Sequence, residues 1–317
     1  MPERSKRIVL ADPEKLAKIN PETLSLMKKY EIDMSIRDLS EKTIYQYRKD
    51  LEQWFIYVLD NQFNQSVKDL TDDDITEFFY FCKQNGNNTE RMKRRMAAIS
   101  AFYKFLRKKK LIMENPCEFL DRPKKGMPIV VQTFLTKEQV QLMKDKLTEY
   151  GDLQLKTYAL FSLSTMARVN AVANVRWKQI DFENRIVKDV LEKEGKIVDL
   201  FFSKEVKELL LQLKAEREKE GIEDFGWVWY SRHTTEDKPI STGTLGEWCK
   251  KIGNMIGVPE LHSHDFRHSF SNILYQSGMA LEDVSSLLHH SGTDVTKKHY
   301  LREDVSRLTK IKDQFEI

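Results

Sequence analysis

The segment NPCEFLDRPKKGMP, residues 115–128, constrains this chain more than any other. Its prolines Pro116, Pro123 and Pro128 break helix and interior strand alike, and Gly126 with the adjacent lysines Lys124 and Lys125 adds a turn-prone, solvated character. A break of this kind predicts two folding units with a boundary near 122–134. Upstream, three amphipathic helices are expected. The first follows the cap Ser40, with Ile44, Tyr47, Leu51, Trp54, Phe55 and Val58 on one face. The second starts at Thr71, where the following aspartates suit a helix N-terminus. The third covers NTERMKRRMAAISAFYKFLRKKK, with Met92, Met96, Ile99, Phe102, Tyr103 and Leu106 inward and its Arg and Lys side chains outward.

These patterns predict a polar N-terminal extension over 1–35, a helical domain over 36–121, a linker over 122–134 and a second domain over 135–317. The extension holds one or two short helices, with Pro13 and Pro21 following the caps Asp12 and Asn20. In the second domain, helices are expected at 136–149, 153–174, 204–219, 243–256, 264–277, 280–289 and 294–313. Alternating segments over 185–190 and 196–202, joined by EKEG, predict a β-hairpin. The fold class is therefore mainly α, in two domains, with a small antiparallel sheet in the second.

Charge matters through its placement. Lys+Arg 52 against Asp+Glu 49 leaves a net of +3, which says little about partners. Between Thr89 and Lys125, however, bases far outnumber the acids Glu90, Glu114, Glu118 and Asp121. Arg91, Lys93, Arg94, Arg95, Lys104, Arg107, Lys108, Lys124 and Lys125 are the candidates for contacting an anionic partner. Cys82, Cys117 and Cys249 are too scattered for a disulfide framework or a zinc knuckle and suit a reducing compartment. No stretch approaches the roughly 18 apolar residues of a membrane span, and the first residues lack the apolar core of a secretion signal. A cytoplasmic location, no membrane partner and no cofactor are the expectations.

Four segments carry candidate chemistry: TMARVNAVANVRWKQIDF, VLEKEGKIVDL, HSHDFRHSFSN and LLHHSGTDVTKKHYL. Over roughly residues 38–313 the chain resembles the tyrosine recombinase (phage integrase) family. The resemblance implies an N-terminal core-DNA-binding, SAM-like domain that clamps DNA together with a catalytic domain. It places the catalytic arginines at Arg168 and Arg267, the lysine at Lys193 (with Lys196 competing), the histidines at His264 and His290, and the nucleophile at Tyr300. It further implies a 3′-phosphotyrosine intermediate, double-stranded DNA with paired half-sites, a homo-oligomer of two to four protomers on that DNA, and accessory DNA-bending proteins.

The residue types suit this chemistry. Two arginines match the charge that builds on the non-bridging phosphate oxygens. Histidines exchange protons near neutral pH. A tyrosine with an ordinary pKa of about 10 needs adjacent cations to become a nucleophile. Lys297, Lys298 and His299 supply such a setting. The helically spaced Leu301, Val305, Leu308, Ile311 and Phe315 read as a tail helix, packing on its own domain or, as the resemblance implies, on a neighbouring protomer.

Departures from the family pattern are specific. Met166-Ala167-Arg168 stands where Gly-Leu-Arg is common, and Ala171 replaces a glutamate three residues after the arginine. His289 replaces a glycine, the interval from His290 to Tyr300 is one residue longer than the commonest, and IVDLFF lacks a common proline. These features keep a second reading open, a recombinase-derived DNA-binding regulator such as a repressor that does not cut. A third is a metal-dependent nuclease, since six of the seven histidines fall between 262 and 299 and His264 and His268 have helical ligand spacing.

Overall fold

A computed structural model describes residues 12–124, 133–192, 195–290, 292–294 and 296. The chain divides into two compact units, Met1–Val131 and Gln132–Ile317.

In the first unit the described helices are α1 (Pro13–Leu16), α2 (Pro21–Ile36), α3 (Glu41–Asn61), α4 (Asp72–Gln84) and α5 (Thr89–Lys108). Each start has a local cause. Asn20 accepts from the N–H groups of Glu22 and Thr23, Ser40 from Thr43, and Asn88 from Arg91. Thr71 and Asp74 form a reciprocal capping box at α4. The core is aromatic: Trp54, Phe55, Phe78, Phe102 and Tyr30 are at most 1% exposed. The Tyr103 hydroxyl donates to the Val67 carbonyl at 2.8 Å and is thereby satisfied in the interior.

The stretch before residue 36 is more than a polar lead-in. Helix α2 runs for 16 residues and buries Leu26, Met27, Tyr30 and Met34 in this core. The apolar stripe at 26, 27, 30 and 34 is the signal that marks it as part of the unit.

The second unit packs around α7 (Leu153–Thr165), which nine buried residues make an interior helix. Against it lie α9 (Lys204–Glu220) and α11 (Ser263–Gln276), with α6 (Lys137–Tyr150) alongside. The second unit also holds the short α8 (Val169–Ala173), α10 (Thr242–Met255) and α12 (Leu281–Leu287). The strands β1 (Ile180–Asp181), β2 (Ile186–Leu191) and β3 (Ile197–Phe201) form an antiparallel sheet in the order β1-β2-β3. A register shift between Val187 and Val190 bulges the hairpin, where Asp189 takes φ 54°.

Two helix expectations change. The expected helix 153–174 is broken, because Met166 adopts a left-handed conformation at φ 52° and ψ 24°. Arg168 then extends at φ −68° and ψ 146° before α8 begins. The expected helix 280–289 stops at Leu287, and His289 takes φ 52°. Both left-handed residues stand where the resemblance leads one to expect glycine, so the backbone shape persists without the residue that adopts it most readily. The expected tail helix over 294–313 falls almost wholly outside the described residues.

Candidate active site and nucleic-acid interface

Arg267 is the centre of the cluster. It lies in the interior, 0% exposed, on the face of α11 that points at the 166–168 break. Its Nη1 donates to the Met166 carbonyl at 2.7 Å, and one Nη2 serves both the Leu288 carbonyl and His290 Nε2, the latter at 3.0 Å. One guanidinium thus joins the left-handed turn that leads into Arg168, the end of α12 and the late histidine.

The same contact fixes the His290 tautomer. An arginine only donates, so Nε2 accepts, and the proton sits on Nδ1, which donates to Thr296 Oγ1 at 2.8 Å. Burial pushes the His290 pKa down to about 4, with Arg267 and Arg168 adding repulsion. The ring is therefore neutral at neutral pH.

His264 sits in the first turn of α11, three residues before Arg267 and on the same face. Its side chain reaches solvent, yet the surrounding protein, then Arg267 and Arg168, lower its pKa. Arg168 is 29% exposed at its side chain and pairs through Nη1 with Glu192 Oε2, whose side chain is 1% exposed. Glu192 directly follows β2, and its N–H donates to the Lys196 carbonyl at 2.7 Å to close the hairpin. Lys196 Nζ donates to the His289 carbonyl at 2.8 Å, tying the hairpin to the 288–290 loop.

The structure thus brings together Arg168, Arg267, His264 and His290. Lys193 and Tyr300 lie outside the described residues. Sequence reasoning missed Glu192, which in the turn EKEG reads as one more solvated charge, and it missed Thr296. Ala171 is fully buried in the apolar core and brings no polar group to the cluster. Among the described residues, no group of three or more His, Cys, Asp or Glu gathers as a metal site, and His268 packs against the Phe134 ring at 5.9 Å.

The basic candidates of the first unit separate into kinds. Arg95 is not on the outward face: it is 1% exposed, over the Phe78 ring and bonded to Gln53. Its position, three after Met92 and four before Ile99, puts it on the apolar stripe. Arg91 and Arg94 both pair with the buried Asp50, at 2.9 and 3.0 Å, and Lys93 pairs with Glu90. Lys104, Arg107 and Lys108 are exposed and line a cleft with Ser100 and Arg122, although Arg107 also bonds Glu118 at 2.6 Å. Lys124 is exposed, and Lys125 lies outside the described residues.

A mainly helical two-unit protein whose second unit gathers two arginines and two histidines beside a small hairpin defines a class, and comparison with known proteins agrees with it. Residues 133–307 match the phage integrase family and residues 28–110 match the phage integrase N-terminal SAM-like domain; the chain belongs to this family. It is 25% identical to the tyrosine recombinase XerC of Pediococcus pentosaceus over 284 residues, covering 87% of this chain and 92% of that protein. With the tyrosine recombinase XerD of Halalkalibacterium halodurans it shares 25% identity over 270 residues, 82% of this chain and 87% of that one.

The fold resembles the XerH site-specific recombinase in its post-cleavage complex with palindromic difH substrate, at a TM-score of 0.70 and 17% identity, covering 89% of this chain and 82% of that one. It also resembles a lambda integrase dimer bound to a COC′ core site, at a TM-score of 0.65 and 17% identity, over 91% and 81% of the two chains. No described helix is long and apolar enough to cross a membrane.

Proposed function

We propose that this protein is a site-specific DNA recombinase that cuts and rejoins duplex DNA through Tyr300. The observation that carries the reading is the convergence of Arg168, Arg267, His264 and His290 from three separate stretches of chain, in a protein of the phage integrase family. In this reading the Tyr300 phenolate attacks the scissile phosphorus and forms a phosphotyrosine at the 3′ side. The 5′ oxygen leaves and takes a proton from Lys193. Attack by a 5′-hydroxyl of a second strand reverses the sequence and restores the diester, so bond energy is conserved and no cofactor is consumed.

Arg168 faces the phosphate with its exposed fork. Arg267 holds the cluster in shape and adds positive charge, and the neutral His290 and His264 relay protons. The exposed Lys104, Arg107, Lys108 and Lys124 bind backbone phosphates, and two to four protomers assemble on paired half-sites. The protein works in the cytoplasm, with DNA-bending proteins as helpers.

A duplex selected by the protein from a random-sequence pool, nicked so that the cleaved end diffuses away, tests the reading. A covalent protein–DNA adduct, undiminished by EDTA, is the expected result. Tight binding without an adduct would identify a non-cutting regulator, and loss of cleavage in EDTA a metal nuclease.

A further inference from the structure

We propose that Glu192 is a positioning residue for Arg168, so that the β2–β3 hairpin, and not α8, supplies the carboxylate that orients this arginine. The proposal rests on the strand-cleavage reading above. Arg168 stands at the N-terminal boundary of α8, and its donor-only side chain makes no capping hydrogen bond there. Its defined anchor is Glu192, which holds one end of the guanidinium while the side chain stays 29% exposed. An arginine on a short loop explores many rotamers, and a phosphate is gripped bidentately only when the guanidinium plane is fixed. A buried carboxylate at one end of the fork fixes that plane and leaves the outer end for the phosphate.

The hairpin sets the placement: the Glu192 N–H donates to the Lys196 carbonyl, and Gly195 between them takes φ 75°. On α8 the position three residues beyond Arg168 is Ala171, fully buried, so no acidic group approaches from that side. Among the described residues, the buried Glu192 Oε1 has no hydrogen-bond partner. Stability alone does not call for a carboxylate in such a place, because an apolar residue of similar volume often serves as well as a buried ion pair. Lys196 on the same turn grips the His289 carbonyl. The hairpin therefore sets both Arg168 and the loop that carries His290.

The experiment measures single-turnover adduct formation on the nicked, pool-selected duplex for wild type, Glu192→Gln, Arg168→Lys and the double variant, with thermal unfolding of each. Glu192→Gln is expected to lower the maximal rate roughly 10–100-fold, as removal of an orienting partner does. The half-saturating DNA concentration should move less than about twofold, because the loss falls on the chemical step and not on binding. In the Arg168→Lys background the same substitution should change the rate less than about threefold, since the two residues act as one unit. Should Glu192→Gln fail to fold, Glu192→Met, which fills the space without polar atoms, enters the same comparison.

A wild-type rate in Glu192→Gln overturns the proposal. So does an equal loss in the Arg168→Lys background, or a loss confined to half-saturation. If wild type binds the duplex and forms no adduct, the cleavage reading itself fails and the proposal falls with it.

Discussion

Among the described residues each unit buries one arginine completely, and the two are put to different uses. Arg95 in the first unit lies over Phe78 and bonds Gln53, and among the described residues its Nε and Nη1 have no partners. Arg267 in the second is buried to the same degree but joins the Met166 and Leu288 carbonyls and His290. Burial alone therefore does not distinguish a packing arginine from an organising one. The partners do: Arg267 gathers groups far apart in sequence, whereas Arg95 fills space between helices of one bundle.

The largest effect that sharpens this contrast is expected at Arg267. Arg267→Met strands the buried Met166 and Leu288 carbonyls and should destabilise the protein by roughly 2–6 kcal/mol, about 1–3 kcal/mol for each carbonyl left without a donor. Adduct formation should vanish with it. Urea unfolding and the adduct assay measure the two losses; a stable, active Arg267→Met would erase the distinction between the arginines.

Next in size is the response to acid. An unfolded histidine binds its proton near pH 6.5, whereas folded His290 does so only near pH 4. Between these values the unfolded chain holds more protons, so His290 contributes stability that is fully present above about pH 6.5 and is lost as pH falls toward 4. His264 is shifted in the same direction. The urea midpoint should fall from pH 7 to pH 4.5 in wild type and fall less in His290→Gln. An equal fall in both would remove His290 from the account.

A smaller change is expected on the basic face. Replacing Lys104 and Lys108 with Gln should weaken binding to any duplex. The slope of log affinity against log salt should drop by about one for each phosphate that no longer meets a lysine. Smallest of all is Arg95→Met. An apolar residue of similar volume should leave DNA affinity unchanged and shift stability by no more than about 1–2 kcal/mol, in either direction. A DNA-binding defect in Arg95→Met would return that residue to the interface.

Much of the fold is legible in the sequence. Caps at Asn20, Ser40, Thr71 and Thr136, the break after α5 and the hairpin at 186–201 all follow from local rules, which act within a few residues. The break at Met166 is not legible, because an apolar residue in a helical pattern gives no sign of a left-handed backbone. That conformation is held from outside, by Arg267 on a helix about a hundred positions later. Glu192 is hidden for the same reason, since its partner Arg168 is 24 residues away and only the fold brings them together. Arg95, by contrast, is legible: its spacing from Met92 and Ile99 places it on the buried stripe, and its charge distracts from its position.

The central claim, that the cluster around Arg267 serves cleavage through Tyr300, is tested most directly by digesting the trapped protein–DNA adduct and sequencing the nucleotide-bearing peptide by mass spectrometry. The expected result is a phosphodiester remnant on Tyr300, with no adduct at all in Tyr300→Phe. A linkage to any other side chain, or an adduct that persists in Tyr300→Phe, would contradict it.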